Sequence, residues 1–246
     1  MSSGVEARII ETRVWTPGLV TLRFDRVLED FQPGQFVNIG LPETPTVRRA
    51  YSIASAPGAA LEFYVAQVVG GTLSPGLCEL LPGANVHLDA TPQGFFTLKW
   101  LPSARDLWLF ATGTGLGPYI SMLRNGELFT RFENVVLVHG VRTAEQLGYA
   151  DELRALAQAR SERFVYVPTL SGGAGAGPLF GRLTQLLANG QLEQRAGLAL
   201  TPESAHVMLC GNPAMIDEMI ALLGVRGLRR HRTRTPGHIT IERYWD

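Results

Sequence analysis

A buried-strand run followed at once by a glycine turn and a helix constrains this chain more than any other stretch. Leu107-Trp108-Leu109-Phe110 is the short unbroken apolar run of a strand covered on both faces. Ala111-Thr112 leads into Gly113-Thr114-Gly115-Leu116-Gly117-Pro118, after which Tyr119, Ile120, Met122 and Leu123 return at helical spacing. The glycines let the backbone approach a pyrophosphate, and the helix start offers unpaired N–H groups and the positive end of a dipole. Pro118 suits a first helical turn, where a missing N–H costs nothing. The third glycine comes one residue too early for the G-x-G-x-x-G dinucleotide pattern. Taken alone, the stretch is equally consistent with an ordinary tight strand-to-helix turn.

Composition limits what such a unit can belong to. At 246 residues, with 46% hydrophobic and 18% charged, the chain has room for two ordinary domains and a sizeable core. Basic and acidic residues balance at 22 each, which argues against a dedicated nucleic-acid binder. No apolar stretch approaches the length of a membrane span. Met1–Glu6 lacks the basic and apolar regions of a signal peptide, so the cytoplasm is the expected compartment. Cys78 and Cys210 are the only cysteines, which excludes a four-cysteine zinc or iron–sulfur site within the chain. The histidines show no helical metal-ligand spacing, so no metal is expected. Redox chemistry here needs an organic cofactor or an outside partner.

From Val5 to about Leu101 the chain reads as short strands split by Gly and Pro, a pattern of antiparallel β-barrels. Strands are expected at Val5–Thr16, Leu19–Phe24, Gln35–Ile39, Arg49–Ala54, Leu61–Val68 and Val86–Ala90, with one helix between Thr72 and Leu81. Two places carry chemistry. In the strand Arg49-Ala50-Tyr51-Ser52-Ile53, alternation puts Arg49, Tyr51 and Ile53 on one face and Ala50 and Ser52 on the other. A guanidinium for phosphate oxygens then stands beside an aromatic plane for a flat ring. The alternative is a barrel strand with a snorkelling Arg and a half-buried Tyr. Gly71-Thr72-Leu73-Ser74-Pro75 is a glycine turn opening a helix, which suits a phosphate or is simply a good cap.

After Leu101 the pattern changes to that of a doubly wound α/β sheet. Apolar strands are expected at Leu107–Ala111, Val135–His139, Phe164–Val167 and Val207–Cys210, alternating with helices at Pro118–Leu123, Ala144–Ala159, Arg182–Leu187 and Ala214–Leu223. Ligands of such sheets bind at the C-terminal strand ends, where Thr112–Gly117, His139–Thr143, Thr169–Arg182 and Cys210–Met215 fall. Arg142 and Arg182 lie just beyond strand ends, placed either for a phosphate or for solvent. The stretch Gly172–Gly177 reads as a mobile rim. Arg226, Arg229, Arg230, Arg232 and Arg234 form a basic run in a neutral chain, a solvated face or an attraction for an acidic partner. Tyr244-Trp245 near the end is placed to pack on the core or on a flat ligand.

Five motifs in order carry a resemblance: Arg49-x-Tyr51-Ser52, Gly71-x-x-Ser74-x-x-Leu77, Gly113-Thr114-Gly115-x-x-Pro118, Cys210-Gly211-Asn212-Pro213-x-Met215 and Glu242-x-Tyr244-Trp245. With them the chain resembles the bacterial type of ferredoxin–NADP⁺ reductase over essentially its full length. The resemblance implies an FAD-binding barrel at residues 1–101 and an NADP-binding α/β domain at 102–246, whose aromatic tail closes on the flavin. Arg49 is implied to hold the FAD pyrophosphate with the backbone of Thr72, Leu73 and Ser74. Ala50 and Tyr64 are implied to line the flavin, with Tyr51 stacked on one face of its ring and Tyr244 on the other. Ser52 and Glu242 are the candidates for the proton at flavin N5, and Trp245 stacks on the adenine, one residue before the extra Asp246. Thr114 is implied to face both cofactors, with Arg142, Thr143, Arg182, Asn212, Pro213, Ala214, Met215 and Ile216 lining the NADP(H) site.

One departure stands out. Relatives commonly carry an Arg after the serine corresponding to Ser171, where it grips the 2′-phosphate, and this chain has Gly172. The implied activity is electron exchange between NADPH and a separate ferredoxin or flavodoxin, by a monomer with no nucleic-acid or membrane partner. Arg229, Arg230 and Arg232 are the candidate docking residues. The alternatives are the reductase component of an oxygenase, an NAD(P)H–flavin reductase, and a nucleotide-binding regulatory subunit without turnover.

Overall fold

Alternation of small β-branched and polar residues from Val5 to Val27 gives the chain its first and longest hairpin. In the computed structural model, which describes residues 4–44, 46–173 and 177–243, β1 (Gly4–Thr16) and β2 (Leu19–Val27) pair antiparallel around Gly18. β3 (Phe36–Gly40), β4 (Arg48–Ser52), β5 (Ala60–Ala66), α1 (Ser74–Glu79) and β6 (Asn85–Asp89) complete this half. The six strands lie in the order β4-β3-β6-β1-β2-β5. The sheet is barrel-like rather than closed: among the described residues its two edges meet only at the isolated bridge Ile53–Phe63. Ile9, Leu22, Phe24, Ile39, Ile53, Phe63 and Val86 fill its interior. Phe24 and Phe63 meet edge to face with centroids 5.6 Å apart.

The second half is the expected α/β sheet. It runs through β7 (Asp106–Thr112), α2 (Gly117–Asn125), α3 (Leu128–Arg131), β8 (Asn134–Val141), α4 (Ala150–Ala159), β9 (Phe164–Leu170), β10 (Leu179–Phe180), α5 (Leu183–Ala188), α6 (Gln191–Ala196), β11 (Ala205–Gly211), α7 (Pro213–Val225) and β12 (Ile239–Arg243). Every ladder is parallel, in the order β10-β9-β8-β7-β11-β12. Val136, Val138, Leu209 and Val207 face α5, α6 and α7 in one core with Trp108 and Phe110. The single helix expected over Ala144–Ala159 is divided: a 3₁₀ turn at Ala144–Gln146 ends before Tyr149, which adopts φ 60°, and α4 starts after it.

The described chain falls into two compact units, one of Met1–Lys99 with Gly117–Asn125 and one of Trp100–Leu116 with Gly126–Asp246. α2 thus packs on the first unit although the strand before it belongs to the second. Ser121 donates to the Ser55 carbonyl at 2.6 Å, and Arg124 donates to the Ala54 carbonyl and pairs with Glu62 at 2.9 Å. Among the described residues no helix is long and apolar enough to cross a membrane.

His206 on β11 is buried against β12, with Nε2 2.9 Å from the Thr240 hydroxyl. Burial, reinforced by His231, His238 and Arg131, pushes its pKa from 6.5 down to about 3. The folded value lies below the unfolded one, so this site's contribution to stability is whole above pH 6.5 and is lost as the pH falls toward 3. We expect His206→Gln to flatten the fall in unfolding free energy across that interval while leaving its value near pH 8 within about 1 kcal/mol of wild type. Urea titrations at a series of pH values, followed by tryptophan fluorescence, measure both.

Candidate functional site

The strand order of the parallel sheet reverses between β7 and β11, and a ligand crevice opens at such a point beyond the C-terminal strand ends. The glycine turn that follows β7 lies there as a 3₁₀ turn, Gly113–Leu116. A Cβ on Gly115 would stand 2.4 Å from the Cys210 carbonyl oxygen, so only glycine lets these two backbones pass. Gly211 is in the same position from the other side: φ is +132° and a Cβ would stand 2.1 Å from the Thr112 hydroxyl. That hydroxyl accepts the Asn212 N–H at 2.8 Å. On the opposite flank His139 of β8, wholly buried, places Nε2 3.2 Å from the Gly113 carbonyl. Burial pushes its pKa down to about 4 against the opposing effect of that bond.

The sequence candidates on this unit gather at the same end of the sheet. Asn212 caps α7, its Oδ1 accepting from Ala214 N at 2.9 Å and Met215 N at 3.4 Å, with Pro213 in the first turn. Met215 and Ile216 turn inward into the sheet core, so what they offer a ligand is the placing of α7 rather than their side chains. Glu242 of β12 is level with Cys210 of β11. Arg142 and Thr143 follow β8, both exposed, and their N–H groups converge on Gln146 Oε1 at 3.1 and 3.2 Å. Gly172 N–H donates to the Arg142 carbonyl at 2.9 Å, which sets these two residues side by side. Arg182 is exposed just ahead of α5.

The basic run goes elsewhere. Arg226 turns inward to Glu193 at 2.7 Å and the Leu187 carbonyl at 2.8 Å. Arg229, Arg230 and Arg232 stand exposed on a hairpin closed by paired Arg232–Thr235 backbone bonds, where Arg230 bridges to Ile239. Ile239 begins β12, so these arginines lie at the N-terminal end of the sheet, away from the Gly113 turn.

On the barrel-like unit a second group forms around the open seam. Arg48 is committed to buried Asp89 at 2.6 Å, whereas neighbouring Arg49 is exposed, its Nη1 resting on the Arg48 carbonyl at 2.8 Å. β4 is an edge strand, so one side of the Arg49–Ala50–Tyr51 backbone has no strand partner. Tyr51 is half-buried against the barrel core, and burial, with Cys78 adding and Arg49 opposing, pushes its pKa up to about 12. Its phenol is therefore neutral and keeps its proton to donate. Ser52 is buried at the end of β4, and Tyr64 lies nearly buried on the opposite edge strand, meeting Trp15 edge to face at 6.4 Å. Beyond β5, Val68 N–H donates to Ser74 Oγ at 2.9 Å, folding the Gly71 turn back on itself. Among the described residues no acceptor in the chain takes the N–H of Thr72, Leu73 or Ser74, which leaves three consecutive donors at one turn.

Tyr244, Trp245 and Asp246 lie outside the described residues, as do Ala174–Ala176 of the expected rim. The His139–Gly113 tie joins residues 26 apart and follows from no motif. A histidine closing an otherwise Val-Leu-Val strand was the signal available for it.

Comparison with known proteins agrees with this geometry. The oxidoreductase NAD-binding domain family matches residues 109–220. The chain is similar to the flavodoxin/ferredoxin–NADP reductase of Escherichia coli, 38% identical with all of both chains covered. It is also similar to that of Buchnera aphidicola from Schizaphis graminum, 35% identical with the same full coverage. A crystal structure of a ferredoxin NADP⁺ reductase from Neisseria gonorrhoeae with bound FAD and NADP superimposes with a TM-score of 0.93 at 33% identity, covering all of both chains.

We expect Gly115→Ala to destabilise the protein by about 1–3 kcal/mol, because the added methyl forces the turn off the Cys210 carbonyl. It should also weaken nucleotide binding. Thermal unfolding and a titration with NADP⁺ measure the two effects.

Proposed function

The chain belongs to the flavodoxin/ferredoxin–NADP reductase family, and from that membership we propose that it is an FAD-containing oxidoreductase exchanging electrons between NADPH and ferredoxin or flavodoxin. The observation that carries the reading is the switch-point turn, a nucleotide seat built by backbones too close for any side chain at Gly115. We assign FAD to residues 1–101 and NADP(H) to 102–246. The residues present fit FAD, since three unaccepted N–H groups and the exposed Arg49 guanidinium match the charge of a diphosphate. When bound, FAD supplies the conversion between one hydride and two single electrons, so that NADPH and two oxidised carriers become NADP⁺, a proton and two reduced carriers.

The chain's own residues bind, orient and exclude water. Thr72, Leu73 and Ser74 hold phosphate oxygens through their backbone, with Arg49. Neutral Tyr51 offers a flat face to the ring, and Ala50 and Tyr64 line it. Ser52, buried at the end of β4, holds the proton at flavin N5. Thr114 with Asn212 to Ile216 seats the nicotinamide half of NADP(H), and Arg142, Thr143 and Arg182 hold its phosphates. Arg229, Arg230 and Arg232 act on the acidic carrier at a distance, raising encounter rates through their field rather than touching the electron route. Two free cysteines suit a reducing compartment, and we place the protein in the cytoplasm as a monomer.

The purified protein should be yellow and should bleach on anaerobic addition of NADPH faster than with NADH. A colourless, folded protein that takes up no added FAD would end this reading, and turnover with free flavin but not with ferredoxin or flavodoxin would turn it into a flavin reductase. A Cβ at Gly172 would stand 3.1 Å from the Arg142 carbonyl, a contact relieved by a few tenths of an ångström. Gly172→Arg should therefore fold and raise the preference for NADPH over NADH by about tenfold, read as the ratio of kcat/KM values. Reversing Arg229 and Arg230 to Glu should slow ferredoxin reduction at low ionic strength and leave it nearly unchanged at high salt, as stopped-flow traces would report.

A further inference from the structure

His139 is a buried, chemically active side chain that the reading above leaves without a task. It ends the apolar run of β8, level with Ala111 of β7 and Pro168 of β9. Its Nε2 is 3.2 Å from the Gly113 carbonyl oxygen. A carbonyl only accepts, so the proton sits on Nε2, and Nδ1 is left as a buried lone pair with no partner among the described residues. A buried unpaired acceptor costs about 1–3 kcal/mol, which a leucine at this position avoids. Packing alone therefore does not explain a histidine here.

What the bond controls follows from peptide planarity. The Gly113 carbonyl and the Thr114 N–H belong to one trans peptide and point in opposite directions. Tying the carbonyl down to a ring inside the sheet aims the Thr114 N–H away from it, at the C-terminal end where the crevice lies. Beyond the bonds of the 3₁₀ turn, no packing holds Gly113: it has φ +53° and no atom within 4 Å of where a Cβ would stand, in contrast to Gly115 against Cys210.

We propose that His139 is a positioning residue for hydride transfer, holding the Gly113–Thr114 peptide so that the turn presents one fixed face to the nicotinamide. This rests on the assignment of the turn to NADP(H) made above. His139 touches neither cofactor; it acts through the turn.

The test compares His139→Leu and His139→Gln with the wild-type holoenzyme. Leu fills the volume without a donor, while Gln keeps an N–H at about the same reach. We expect both to retain FAD and to unfold within a few degrees of wild type. In His139→Leu, flavin reduction by NADPH should slow by about tenfold to a hundredfold, with kcat falling more than KM rises. NADP⁺ binding should weaken and amide exchange at Thr114 should quicken. His139→Gln should recover most of both. Nitrogen-15 spectra of the wild-type imidazole should place the proton on Nε2, and the resonance should shift when NADP⁺ is added.

Wild-type kinetics and NADP⁺ affinity in His139→Leu would overturn the proposal, as would equal impairment of Leu and Gln variants. A wild-type spectrum with the proton on Nδ1 would overturn it even if the Leu variant fails to fold. A wild-type protein that binds no NADP⁺ would instead overturn the parent reading, a result these variants do not mimic.

Discussion

Two backbone segments pass each other at Gly115 and Cys210 with no space for a side-chain carbon, and the rest of the nucleotide-binding unit is arranged to permit that contact. It lies where the order of parallel strands reverses, so the chain must leave β7 upward and return into α7 within a few residues of the same point. Gly211 solves the matching problem from β11, and the Thr112 hydroxyl uses the resulting proximity to take the Asn212 N–H. Because Asn212 then caps α7, the helix start and the turn are fixed to the same strand end rather than to each other through solvent.

Much of this was legible in the order of residues. The apolar run from Leu107 to Phe110, the change of pattern after Leu101 and the glycines at strand ends each follow from periodicity or from backbone sterics, which are local properties. What was not legible depended on a partner distant in sequence. Nothing local separates Arg48 from Arg49, yet a buried Asp89 claims the first and leaves the second exposed against the Arg48 carbonyl. The basic run looked like one feature, but Glu193 draws Arg226 inward and the register of β12 against β11 puts the remaining arginines at the far end of the sheet. Ile216 read as part of a motif, although helical phase turns its side chain into the core. The short strands β10 and β12 take their identity as strands from the neighbours they pair with.

Charge is distributed with a consistent logic around the two groups of site residues. Burial keeps Tyr51 protonated, Cys78 as a thiol with its pKa pushed up to about 11, and His139 neutral, so none of these changes charge near neutral pH. Positive charge lies instead on the exposed side chains of Arg49, Arg142 and Arg182.

The path of the chain through α2 bears on how such a protein can change over evolutionary time. The chain joins the first unit for nine residues between two stretches of the second, and Ser121 and Arg124 use that visit to grip the Ser55 and Ala54 carbonyls. A single recombination event near Lys99 would graft a foreign helix onto those carbonyls, with its own choice of residues at 121 and 124. The two halves therefore inherit as a co-adapted pair, and a new nucleotide-binding half must bring a helix already matched to its host.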